Sequence, residues 1–212
     1  MGPTVMTTWL AGAWTKSHWC QRFLVACSLI GAAILWVDVR AQAPRVVVGG
    51  GTEIASQILA RLYVGTLNSV AVPAVLAAEG RATWSERLSA VDSGAWAVSA
   101  EEAQGLLAAL NPRVRPDHNV FTLSGQLAGQ LPEGLDISDI TPNGSIAVYR
   151  IGSLTYKHSK GLGLLADQLN AAELASLVRA VAAGADMDAT TSRWLVAHNF
   201  NKTDREKLED QL

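Results

Sequence analysis

The sequence predicts an α/β protein whose mostly parallel sheet is flanked by helices and preceded by an N-terminal signal or membrane-anchor helix. Three observations carry that reading. A β-branched run, Val46-Val47-Val48, is cut by Gly49-Gly50-Gly51 and followed by apolar residues at helical spacing. A succession of helix, turn, strand and helix recurs between residues 84 and 110, and a last strand pattern at 145–150 is again followed by helices. Ahead of all of these lies an apolar run with basic residues on its amino side. Strands alternating with helices of roughly ten to fifteen residues must be joined by crossovers, which places them side by side in parallel with helices on both faces.

The leading run covers the fifteen residues from Phe23 to Val37, with Lys16 and Arg22 before it and Ala41-Gln42-Ala43 after it. Basic flank, apolar core and small-residue exit are the parts of a secretory signal peptide. The run is shorter than the roughly 20 residues that span a bilayer comfortably. Pro44 directly follows the Ala-Gln-Ala site, and its fixed ring suits a peptidase cut poorly. A signal peptide and an uncleaved single-pass anchor are therefore both expectations for residues 1–43. Residues 44–140 are expected to form a first α/β lobe, and residues 141–212 a short second lobe with C-terminal helices.

Within the first lobe, Ile54, Ile58, Leu59, Leu62 and Tyr63 recur on one helix face, with Thr52 placed to cap it. Residues 84–91 read as a second helix with Glu86 and Arg87 exposed, Ser93-Gly94 as a turn and 95–99 as a short strand. Residues 100–110 read as a helix stopped by Asn111-Pro112. Beyond two turns, Leu131-Pro132-Glu133-Gly134-Leu135 and Thr141-Pro142-Asn143-Gly144, lies the strand 145–150. Helices at 162–169 and 172–183 follow, the latter closed by Gly184.

Charge and cysteine usage narrow the function classes. Setting Lys16, Arg22 and Arg40 aside from the 17 basic residues, and Asp38 from the 19 acidic ones, leaves 14 against 18 after residue 43. A formal charge of −4 gives no electrostatic ground for a nucleic-acid partner. Cys20 and Cys27 both precede Pro44, so no disulfide and no thiol nucleophile is expected in the exported part. His118, His158 and His198 stand forty residues apart, without the paired spacing of a structural metal site. Neither Gly-x-Ser-x-Gly nor His-Glu-x-x-His occurs. The sequence is thus expected to be a non-enzyme without a cofactor.

Three stretches resemble the substrate-binding proteins of glycine betaine, choline and related quaternary-amine ABC transporters. They are Val46 to Ala60 with its Gly51-Thr52-Glu53 turn, Arg87 to Val98 with Asp92-Ser93-Gly94, and Leu131-Pro132-Glu133-Gly134-Leu135 together with Ser145 to Arg150. The resemblance implies the type II periplasmic-binding-protein fold, capture of a small zwitterionic or quaternary-amine solute, and an ABC permease or another envelope protein as partner. It also implies a periplasmic or cell-envelope location. Where that family presents a Pro-Glu-Tyr-type segment, this chain has Ser99-Ala100-Glu101-Glu102-Ala103, and little chain remains for a second lobe. A diverged or reduced member is the expectation. The alternative is an envelope-anchored interaction or structural protein that keeps the fold without a working cleft.

The candidate ligand residues are Gly51, Thr52, Glu53, Ser99, Glu101, Tyr149, Tyr156 and Arg193. Gly51 and Thr52 can offer a backbone N–H and a hydroxyl at the start of the first helix, or simply form its turn. Ser99 and Glu101 follow a strand and face the place where an α/β cleft opens, although Ser99 with Glu102 also spells a capping box. Trp96 alternates with the strand and reads as core rather than as part of an aromatic cage. Tyr149 lies at a strand end and Tyr156 in a loop with Lys157 and His158, fit for an anion or a partner protein or simply solvated, and Arg193 beside Trp194 can hold a carboxylate or lie along its own helix.

Overall fold

The computed structural model describes residues 45–200; the expected signal or anchor segment at 1–43 lies outside the described residues. Among the described residues no helix is long and apolar enough to cross a membrane.

β1 (Val46–Gly50) opens the fold and leads into α1 (Ile54–Ser69), whose Ile58, Leu62, Tyr63 and Leu67 are fully buried. β2 (Ala74–Leu76) returns beside β1 in parallel, Val47 opposite Val75. α2 (Trp84–Asp92) then crosses over to β3 (Val98–Glu102), which pairs in parallel with the other edge of β1, Gly49 opposite Ser99. α3 (Ala103–Leu110) and α4 (Val120–Ala128) precede β4 (Leu135–Ile137) and β5 (Ser145–Arg150). β5 runs antiparallel to both β3 and β4, giving one open sheet in the order β2-β1-β3-β5-β4. Four strands therefore point one way and β5 is reversed. α5 (Tyr156–Gln168), α6 (Ala171–Ala182) and α7 (Met187–Ala197) complete the chain.

Side-chain alternation sorts the helices onto two faces. Val46, Val48, Val98, Ala100 and Ala147 point to one side, where α1 packs with α5, α6 and α7. Trp96, Ile146 and Val148 point to the other, against α2, α3 and α4. The segment after residue 141 builds no separate sheet: β5 sits between β3 and β4, and α5 to α7 lie on α1. The crossovers of β1 to β2 and β2 to β3 leave on opposite faces, so the strand order reverses between β1 and β3.

Several elements differ from the pattern-based expectation. The third strand starts at Val98 rather than Ala95, because Gly94 (φ 77°) and a hydrogen bond from Trp96 N–H to the Ala90 carbonyl (2.9 Å) prolong the turn. The strand also continues through Glu102, since β5 offers partners along its whole length, down to Ser145 opposite Glu102. The cap of α3 is consequently Glu102, whose carboxylate accepts from Gln104 N–H (3.0 Å) and Gly105 N–H (2.5 Å). A capping box from Ser99 does not form. β4 occupies what reads as turn sequence, because three residues suffice to cover the edge of β5.

Candidate functional site

The glycine run that ends β1 is accounted for by packing. A Cβ on Gly49 would overlap the Trp96 ring, and one on Gly51 would overlap both the Glu53 carboxylate and the Arg87 guanidinium. Gly51 N–H already donates to Ser56 Oγ (2.6 Å), and Ser56 Oγ donates to the Ala100 carbonyl (3.0 Å), tying β1 to β3. The backbone donor expected to face a ligand is thus engaged within the fold. Loop 77–83 folds over the end of β1 through Ala77 N–H to the Val48 carbonyl (2.8 Å) and Arg81 N–H to the Gly50 carbonyl (3.1 Å). Gly80 permits that approach, its missing Cβ lying 2.8 Å from the Gly51 carbonyl oxygen.

Two open clefts flank this loop. One, of about 160 Å³, lies between β1, α1 and residues 76–80, with Thr52, Gln57 and Arg61 on its wall. The other, of about 480 Å³, is lined by Thr52, Glu79, Arg81, Glu86 and Trp96. Arg81 stands with its guanidinium carbon 5.5 Å from the centre of the Trp96 ring. Glu86 accepts from Thr83 N–H (3.1 Å) and Thr83 Oγ1 (2.9 Å), and these bonds hold its carboxyl below the ordinary range. Opposite charges thus stand in one cleft beside the Trp96 ring. Thr52 is exposed and borders both clefts.

Behind the clefts, where the strand order reverses and α/β proteins commonly bind ligands, the crevice is filled by side chains. Arg87 on α2 is 2 % exposed and Glu101 on β3 is 1 % exposed. The Arg87 Nη1 atom stands 3.5 Å from Glu101 Oε2 and 3.4 Å from Glu53 Oε2, so one nitrogen serves two carboxylates. Trp84 lies 4.0 Å under the guanidinium, and Ser99 Oγ donates to Glu101 Oε1. Arg87 Nε and Glu101 Oε2 make no hydrogen bond among the described residues. Burial raises the Glu101 carboxyl to about 7, against the opposing pull of Arg87 and the Ser99 hydrogen bond.

The expected site residues therefore separate. Gly51, Thr52, Glu53, Ser99 and Glu101 converge on the carboxyl ends of β1 and β3, but Ser99 and Glu101 are sealed beneath Arg87 rather than open to a cleft. Tyr149 on β5 is half-buried, with its hydroxyl donating to the Ile137 carbonyl (3.2 Å); burial first and the nearby Asp136 second raise its phenol. Tyr156, expected in a loop, instead opens α5, whose N-cap is Thr155, and is 83 % exposed, while Arg193 is exposed on α7. Neither takes part in the two clefts. Arg87, expected to be exposed on its helix, is instead buried, and Arg81 and Glu79 were not singled out by the sequence at all. Arg87 is legible only as an exposed helix residue in a pattern, because nothing local shows that Gly51 leaves room for it.

The fold and site together define an open-sheet α/β protein with a polar cleft at the carboxyl ends of its parallel strands. No protein-family model matches the chain, and no curated protein matches it. Among the described residues no cluster of His, Cys, Asp or Glu is arranged to hold a metal ion.

Proposed function

We propose that this protein captures a small zwitterionic solute, without chemistry, in the cleft between Thr52 and loop 77–83. The observation that supports it is the convergence of Glu79, Glu86, Arg81 and the Trp96 ring on one open cleft of about 480 Å³. A solute ammonium would meet the carboxylates and a solute carboxylate the Arg81 guanidinium, while the indole takes the methylated part of the ligand. The finer reading extends the resemblance: a diverged or reduced type II periplasmic-binding-type protein of the glycine betaine and choline class, exported, handing its solute to an ABC permease. Thermal unfolding of the full-length chain with betaine, choline, carnitine, ergothioneine or a polyol at millimolar concentration tests it. A ligand present at a hundred times its Kd adds about 2.7 kcal/mol, and Arg81→Ala should remove the gain for zwitterions while sparing any for choline. An unchanged melting temperature with every solute would overturn the proposal.

One observation favours a second reading, an envelope-anchored interaction protein without a working cleft. Trp96 is 5 % exposed and covered by Arg81, and Arg87 fills the crevice between β1 and β3. Under that reading the same titration series gives no ligand response, and the chain is recovered from membranes with residues 1–43 still attached.

A further inference from the structure

Glu101, Arg87 and Glu53 form a continuous charged path from the core to the turn whose Thr52 lines both clefts. Glu101 is sealed on β3, Arg87 spans the gap that Gly51 leaves open, and Glu53 stands 59 % exposed at the first turn of α1, next to Thr52. Because Arg87 Nη1 contacts both carboxylates, its attraction is divided between them, and the two anions repel one another across it. We propose that this triad is a proton-controlled latch in which the charge state of Glu101 sets how firmly Arg87 holds the Thr52–Glu53 turn. Its consequence for ligand capture rests on the cleft reading above; the latch itself does not.

The surroundings of Glu101 leave few other groups to drive it. β1 presents Gly49 and Gly50, β5 presents Ile146 and Ser145, and α3 carries no charged side chain. Arg87 from α2, Glu53 from the N-cap of α1 and the Ser99 hydroxyl from β3 are the groups that act on it. With Glu101 neutral, Arg87 belongs to Glu53 alone and the turn is pinned. With Glu101 ionised, the shared guanidinium holds Glu53 less tightly and the turn loosens. Linkage makes the coupling reciprocal: whatever Glu101 does to the Glu53 contact, removal of the Glu53 charge must do to the Glu101 proton.

Amide and carboxyl NMR titration of the full-length chain between pH 5 and pH 9 reads the latch without any ligand. The expected result is that Thr52 and Glu53 amides shift with the same midpoint as the Glu101 carboxyl, and that Glu101→Gln abolishes those shifts. The surface variant Glu53→Gln, which leaves the core intact, should lower the Glu101 midpoint. A Glu101 midpoint unmoved by Glu53→Gln, or Thr52 and Glu53 amides that stay still while Glu101 titrates, would overturn the latch. Solute binding measured at pH 6 and pH 8 is a separate arm. If the latch titrates as described, an affinity that differs about fivefold or more supports its link to the cleft. No binding at either pH sinks the cleft reading and leaves the latch standing.

Discussion

β3 presents two opposite environments on one strand. Val98 and Ala100 face α1 and meet a mainly apolar layer, whose Tyr63 hydroxyl and Trp194 indole N–H are uncharged and make no hydrogen bond among the described residues, whereas Ser99 and Glu101, one residue away, face α2 and meet a buried arginine. On the first side Leu62, Leu67, Leu165 and Ile58 fill space with no polar obligation, so stability follows from area removed from water. On the second side each ion needs its partner, because the loss of one leaves the other charged and dry. The comparison shows which face is free to change with conditions: a packed apolar layer is indifferent to pH, while a buried carboxylate shared through one guanidinium is not.

The sharpest way to break the contrast is Arg87→Ala. Loss of the stem beneath Trp84 and of the ionic partner should cost about 4 kcal/mol at pH 7. Glu101 then keeps its proton to higher pH, so the cost should grow by up to about 1.4 kcal/mol per pH unit above 7. Urea unfolding at pH 7 and pH 8.5 measures both, and a cost that stays flat with pH would place Glu101 outside Arg87's influence.

A comparison between Leu62→Ala and Glu101→Gln sharpens it further. Leu62 lies fully inside the α1 face, so its truncation should cost about 3 kcal/mol at any pH. Glu101 behaves otherwise. Its folded-state value of about 7 lies above the ordinary 4.5, so the folded chain holds the proton between those values. The associated stability is complete below about pH 4.5 and is lost as pH rises through about 7. Relative to the wild type, Glu101→Gln should therefore gain about 3 kcal/mol between pH 4.5 and pH 8. Parallel pH profiles for the wild type and this variant would contradict the assignment.

The smallest expected effect concerns the seam between the faces. Gly49 lies against the flat of Trp96, and the ring is fixed at 5 % exposure. Gly49→Ala should cost about 2 kcal/mol by overpacking and blue- or red-shift the tryptophan fluorescence as the ring is displaced toward the larger cleft. Unaltered emission with unaltered stability would mean that the ring moves freely.

The local patterns made much of this architecture legible. Val46-Val47-Val48 followed by glycine identifies β1, the spacing of Ile58, Leu62 and Tyr63 identifies α1, and the alternation in Ser145 to Arg150 identifies β5. Trp96 was readable as core because it falls within the alternating run 95–99, although the strand itself begins only at Val98. β2, α4 and β4 were not legible: the strands have three residues each, and α4 starts at the polar cap of Asn119, whose side chain accepts from Phe121 and Thr122 N–H, within turn-rich sequence.

What the sequence by itself determined was the succession of its longer patterned elements, β1, α1, α2, β3, β5 and the helices after it, because hydrophobic period and glycine placement act over neighbouring residues. Tertiary structure alone decided that Glu101 is a strand residue rather than a helix start, since β5 pairs along its whole length and Arg87 meets it from α2. It also decided that Gly51 makes room for a guanidinium instead of presenting its N–H to a ligand. The placements of Glu101 and of the guanidinium beside Gly51 depend on groups 14 to 45 positions apart in the chain, as in Glu101 with Arg87 and Glu101 opposite Ile146. Such pairings follow from how the faces of the sheet are covered, which no local pattern encodes.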